Sequence, residues 1–130
     1  MTRDRADNGS AAVDFVFVSV LVVALFLLVL QVALALHVRN VLVASAAEGA
    51  RYAADADRSP VDGEQRTREV VGDSLSAGVA DRMTYRASEV PGAAGEVLVQ
   101  VEVDGPLPVV FLPAGPLHVR VRGHALEERR

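Results

Sequence analysis

From Phe15 to Leu36 the chain runs for 22 residues without a charged side chain, interrupted only by the neutral polar residues Ser19 and Gln31. At 1.5 Å per residue this is roughly 33 Å of helix, enough for a hydrocarbon core of about 30 Å. A core helix in a chain of 130 residues would be apolar along one stripe, not on every face. The valines lower helix propensity in water, but in lipid each backbone polar group needs an internal partner, and a helix is the one solution open to a single segment. The segment therefore reads as a transmembrane helix. At its mouth stands one carboxylate, Asp14, five residues after Gly9.

Two simpler readings compete with a specialised role for that acid. Ala33-Leu34-Ala35 fits the small-x-small pattern of a cleaved secretory signal, although the apolar run exceeds the about 7–15 residues usual for such signals. A plain single-pass anchor also accommodates Asp14. Near the interface the cost of a charge falls well below the ~3 kcal/mol expected at the bilayer centre, and a helix dipole favours an acid at its N-terminus.

Past the span the helix has no reason to stop. His37 to Asp57 contains no proline and a single glycine, Gly49. Val38, Leu42, Ser45, Gly49 and Tyr52 recur at steps of three and four, tracing one narrow face. Glu48 and Arg51, and Arg51 and Asp55, have the spacing of intrahelical ion pairs. Ser59-Pro60 ends the run, because a residue before proline avoids helical angles. A helix from about Ala11 to Asp57 is on the order of 70 Å long, half in lipid and half projecting. Its weakly apolar outer half needs something to lie on.

The remainder of the chain can supply that partner. Asp62 with Gln65 suggests a capping box opening a helix over about Gly63–Arg82, with Val71, Leu75 and Val79 on one face and Gly72 and Gly78 softening it. From Met83 the period becomes two. Thr84-Tyr85-Arg86 is a candidate first strand. Val97, Val99, Val101 and Val103 alternate with Leu98, Gln100, Glu102 and Asp104, and His118 to Ala125 alternates again. Two faces carry opposite charge: Gln100, Glu102 and Asp104 on one strand, His118, Arg120 and Arg122 on the other. They are expected on adjacent antiparallel strands pointing to the same side. Between them, Val109-Val110-Phe111-Leu112 is a short edge strand or a loop packed on the sheet, punctuated by Pro113-Ala114-Gly115-Pro116.

The expected architecture is α+β. A long N-terminal transmembrane helix extends into a small domain with a second helix and an antiparallel sheet of about three strands. The expected boundaries are a short cytoplasmic leader at 1–9, the span at 10–36, the helix continuing outside the membrane over 37–58, an extracytoplasmic α+β domain at 62–126 and a tail at 127–130.

Chemistry by this chain finds little support, and it is expected to be neither an enzyme nor a cofactor or metal protein. There is no cysteine, hence no thiolate ligand or nucleophile. His118 and His124, six apart on one strand face, stand about 20 Å from each other, too far to share a metal. No Gly-x-Ser-x-Gly elbow occurs, and Pro91-Gly92-Ala93-Ala94-Gly95 precedes a strand, not a helix that could cradle phosphate. Net charge is −4, which with no basic cluster among aromatics argues against nucleic acid. All 13 basic residues are arginine, and with abundant Ala, Val and Gly this resembles the composition of GC-rich, actinobacterial-type genomes.

Taken in order, Gly9-Ser10-Ala11-Ala12-Val13-Asp14-Phe15, the apolar helix, Glu48-Gly49-Ala50-Arg51-Tyr52-Ala53-Ala54 and the valine-alternating tail resemble the TadE-like family, pseudopilins of the tight-adherence (Flp pilus) machinery. The resemblance implies that Gly9 is the last leader residue, removed by a prepilin peptidase to leave Ser10 as the new N-terminus. Asp14 then takes the fifth position, usually glutamate, followed by Phe15. The implied partners are the lipid bilayer, the prepilin peptidase, other pilin-like subunits and the polytopic assembly platform of a Tad system, with no small-molecule substrate.

A newly cut α-amino group is a cation, and in a bundle of apolar stems Asp14 of an adjacent subunit can neutralise it. Either charge unpaired is costly in low dielectric. Removal of residues 1–9 leaves 11 basic against 15 acidic residues, so the net side-chain charge is unchanged and the effect is local. Two function classes follow: a non-enzymatic assembly subunit, or a static single-pass envelope protein whose outer domain binds another protein.

Orientation follows from size more than charge. Arg3 and Arg5 are offset by Asp4 and Asp7, while His37 and Arg39 flank the other end, so the positive-inside signal is weak. With a short polar leader against a much larger domain, the N-terminus is expected in the cytoplasm and the domain outside. A reporter active only in the cytoplasm, fused after Arg130, should be silent.

Overall fold

In a computed structural model, residues 4–108, 115 and 117–127 are described, with side chains from Ser10 onward. The first element, α1 (Asp4–Ala54), is one helix of 51 residues, about 76 Å long. It begins before the expected Ala11. It also ends before the expected Asp57. Asp55 and Asp57 face the negative end of the dipole, the Arg58 N–H turns back to the Asp55 carbonyl at 3.1 Å, and Pro60 holds Ser59 extended (φ −111, ψ 160).

Helix α2 (Pro60–Ser74) starts earlier than the sequence suggests, with Pro60 in its first turn. Its cap is Ser59 with Asp62, not Asp62 with Gln65. The Asp62 carboxylate accepts from the Ser59 N–H at 2.7 Å and from its hydroxyl at 2.9 Å, while Gln65 donates to Glu69 at 3.2 Å. Nor does α2 reach Arg82. The run Gly72-Asp73-Ser74 is poor helix former, and Ser76 begins a separate short helix, α3 (Ala77–Ala80), by accepting from the Val79 N–H at 3.2 Å. The expected apolar face survives this break: Val71 is buried, and Leu75 and Val79 pack against the core.

Three strands, β1 (Thr84–Pro91), β2 (Val97–Pro106) and β3 (His118–Leu126), form an antiparallel sheet in the order β1-β2-β3. β1 runs well past the expected Thr84-Tyr85-Arg86. The turn into β2 is closed by the Gly92 N–H to the Glu96 carbonyl at 2.7 Å, with Gly95 at φ +85, a conformation that favours glycine. The inward face of the sheet carries Val99, Val101, Val103, Val119 and Val121, all buried. The Val109–Leu112 piece, residues 113, 114 and 116, and the tail from 128 lie outside the described residues.

These valines meet α1. Its buried face comprises Val38, Leu42, Ser45, Ala46, Gly49, Ala50, Ala53 and Ala54, broader than the narrow stripe expected, because α2 covers one flank and β3 the other. Tyr52 is only half-buried and lies beneath Arg58, whose guanidinium sits 3.5 Å from the ring centroid. Contact with both flanks is at backbone distance. A Cβ at Gly49 would stand 2.6 Å from the Gly63 carbonyl oxygen and on the Thr67 hydroxyl; one at Gly123 would stand 2.5 Å from the Ala46 carbonyl oxygen. Gly49→Ala is therefore expected to destabilise the domain by about 1–3 kcal/mol through overpacking. Gly78→Ala, where a Cβ meets open space, should be neutral or stabilising. Denaturant unfolding of the solubilised protein compares the two.

Candidate functional site

The residues marked out by the sequence at the inner end of the stem all lie on α1. Ser10, Asp14 and Phe15 are exposed, and no described side chain pairs with Asp14. Ser10 and Asp14 are one helical step of four apart, about 6 Å along the axis, on the same face. The backbone through Asn8, Gly9 and Ser10 is helical, where an extended segment would be expected at a cleavage site. Beyond it the large apolar side chains from Val13 to Leu30, all but the half-buried Leu27, are exposed. This is a helix long and apolar enough to cross a membrane, with its most apolar window unburied.

At the far end of the apolar run the surroundings change. Gln31 is buried (4 % exposed) and its amide donates to the Pro108 carbonyl at 3.2 Å. In the sequence it reads only as a neutral interruption, because nothing there indicates that the turn after β2 descends to its level.

Farther out, Glu48-Gly49-Ala50-Arg51 is a helix-docking phrase. Gly49 admits the α2 backbone, Ala50 is buried, and Glu48 reaches across to Arg66 of α2 at 3.7 Å. The expected intrahelical pairs give way to other partners. Arg51 donates to the Ala47 carbonyl at 3.3 Å, and Asp55 pairs with Arg58 at 3.5 Å. On the other side of α2, Glu64 accepts the Ala87 N–H at 2.7 Å, tying α2 to the β1 backbone. This contact has no sequence signature. Tyr85 donates to the Ala80 carbonyl at 3.0 Å beneath Arg68, and burial holds its phenol above the ordinary value.

The outer face of the sheet bears the charge ladder expected from the sequence. Register places Gln100 opposite His124, Glu102 opposite Arg122 and Asp104 opposite Arg120. Arg120 donates to Asp104 Oδ2 at 2.7 and 3.1 Å, Arg122 donates to Glu102 at 2.7 Å, and His124 contacts Gln100 at 2.9 Å. His118 lies 3.8 Å from Asp104. The arginine side chains remain more than half exposed, so the pairs fix register more than they stabilise. Among the described residues no group of three or more His, Asp or Glu is placed to hold a metal ion. Two open grooves flank α1 where it meets β3. One is lined by Arg51, Asp55 and His124 among others, the second by Arg39, Asn40, Arg120 and Arg122.

The geometry separates an unpartnered stem from a face docked on α2 and β3, and the comparison with known families covers the first and most of the second. The family model described as TadE-like protein matches residues 9–51. That segment is similar to the TadE-like family. The match begins at Gly9, takes in Asp14 and the whole apolar run, and closes on Arg51 of the docking phrase. No curated protein and no solved structure gave a match.

α1 docks on a sheet whose register pairs include a carboxylate, Asp104, that titrates below its ordinary range. The hydrogen bond from Arg120 holds the Asp104 carboxyl below its ordinary value. A group with a depressed folded pKa contributes stability above its unfolded pKa and loses it as pH falls through the folded value. Stability should therefore drop on acidification through and below the ordinary carboxylate range. Asp104→Asn should remove part of that drop while costing stability at neutral pH, as read from unfolding midpoints across a pH series.

Proposed function

We propose that this chain is a non-enzymatic membrane pseudopilin that takes part in assembly of a Flp/Tad-type pilus or a related secretion apparatus. The observation that carries the reading is the coincidence of the TadE-like match, residues 9–51, with a stem exposed on all sides whose one acid lies five residues beyond its first glycine. In this reading residues 1–9 are a cytoplasmic leader, 10–36 span the membrane and the domain of residues 62–126 lies outside. A prepilin peptidase cuts between Gly9 and Ser10. The new α-amino group of one subunit then pairs with Asp14 of the next, with Phe15 beside it in the stem contact. Pilin-like subunits and the polytopic platform of the Tad system are the partners.

The stem favours such a role because its apolar surface is unspent. Exchange of lipid for neighbouring stems changes little in hydrophobic terms, since lipid tails are as apolar as leucine. Register must then come from polar contacts, and Asp14 is the charge available.

The helical backbone through Gly9 favours a second reading, a static anchor whose outer domain binds another protein. Cleavage requires the peptidase to unwind the first turns, and Gly9 lowers that cost by about 1 kcal/mol relative to alanine. Co-expression with a prepilin peptidase separates the two. The wild-type chain should lose its first nine residues by intact mass, and Gly9→Val should stay full length. If both stay full length while the peptidase cuts its own pilin, the static anchor is the better account.

A further inference from the structure

The exposed and covered sides of α1 disagree about where the membrane ends. On the exposed side apolar residues continue through Val32 (52 % exposed) and Leu36 (55 % exposed), and polarity begins only at His37, Arg39 and Asn40. On the covered side protein contact starts lower, at Gln31 and Leu34. Gln31 is buried and donates to the Pro108 carbonyl, and Leu34 and Leu107 each pack against the core cluster. The two sides overlap from residue 31 to residue 36, about 8 Å along the axis.

We infer that the base of the β2–β3 connection, at Leu107, Pro108 and Leu117, is immersed in the acyl chains of the leaflet on the domain side. Were it in water, Val32 and Leu36 would be in water beside it. An axial measure agrees. Gln31 lies 17 residues beyond Asp14, about 25 Å along the helix. With Asp14 at one edge of a hydrocarbon core of about 30 Å, the Gln31 amide falls about 5 Å inside the other.

The chemistry at that depth fits. A glutamine amide in hydrocarbon needs an internal acceptor, and the Pro108 carbonyl provides one. Proline has no N–H of its own to satisfy. At the same level the Leu107 N–H donates to the Leu117 carbonyl at 2.6 Å, and the Leu117 side chain is 47 % exposed. Arg39 and Asn40, two turns beyond Gln31, then stand among the headgroups. The ligand is thus the bilayer itself, and the inference needs only the span, not cleavage at Gly9 or a filament.

The chain has no cysteine, so single labels are clean. Leu117→Cys, Val22→Cys and Ser88→Cys, each carrying an environment-sensitive fluorophore, are reconstituted as full chains at low protein-to-lipid ratio. The vesicles contain phosphatidylcholine brominated near the top of its acyl chains, or a headgroup spin label. Val22 marks the span and Ser88, exposed on β1, marks the domain. The label at Leu117 should be quenched by the acyl bromines, as at Val22, with a blue-shifted emission, and Ser88 should respond to neither quencher. Quenching at Leu117 by the headgroup probe alone, or a response matching Ser88, overturns the inference.

Discussion

The contact on which the rest depends is the approach of two backbones to the outer half of α1. Gly63 of α2 meets Gly49 on one flank and Gly123 of β3 meets Ala46 and Ala47 on the other, each at a distance that leaves no room for a Cβ. A helix rich in alanine has little apolar surface to bury, so close approach replaces bulk as its means of packing. The chain has no disulfide, and its small domain must hold to the stem through van der Waals contact over this face and through the valine layer of the sheet. Thr67 shows how tight the seam is: fully buried, it satisfies its hydroxyl on the Gly63 carbonyl at 2.7 Å, within its own helix.

Elements with strict periodicity were legible in the sequence, and those set by tertiary contact were not. The valines of β2 and the alternation of β3 announced both the buried face and the charge ladder, since a period of two leaves one choice of side. The apolar run announced the span in the same way. Helix limits were less legible. Asp62 has the right chemistry for a cap but serves Ser59 upstream instead of opening a helix at Gly63. The end of α2 at Ser74 depends on Ser76 capping a new turn, a competition between weak local preferences that the sequence leaves undecided.

At the candidate site the same division holds. Gly9, Ser10, Asp14 and Phe15 stand out in sequence because an acid beside a membrane-length apolar run is unusual, and the structure leaves the last three on the open surface of α1. The Glu48-to-Arg51 phrase also stood out, but its meaning did not. Glu48 and Arg51 have ideal spacing for an intrahelical pair, yet Glu48 turns to Arg66 because α2 lies on that flank. Gln31 and Glu64 carried no signal. Their partners are the backbones of residues 77 and 23 positions away, and a contact to backbone leaves no trace in residue type.

The molecule is thereby divided along a single helix. The outer half of α1 is committed within the chain, whereas the inner half, from Ser10 to Leu30, is exposed except at the half-buried Ser19 and Leu27. These halves obey different energetics. Outside the membrane, burial of apolar surface drives α2 and the sheet onto the helix. Inside it, lipid and protein are equally apolar, and only shape and polar contacts can favour one neighbour over another. The exposed bulk of Phe15, Phe17 and Phe26 offers no small-residue seam of the kind that brings Gly49 against Gly63. In the proposed assembly, association of such stems would fall to their polar end, where Asp14 stands. A carboxylate there is cheap while water and headgroups can reach it, and becomes costly once other stems surround it unless a cation arrives with them. A residue tolerated in the isolated span would thus, in the proposed assembly, make a bundle of stems conditional on a matching positive charge.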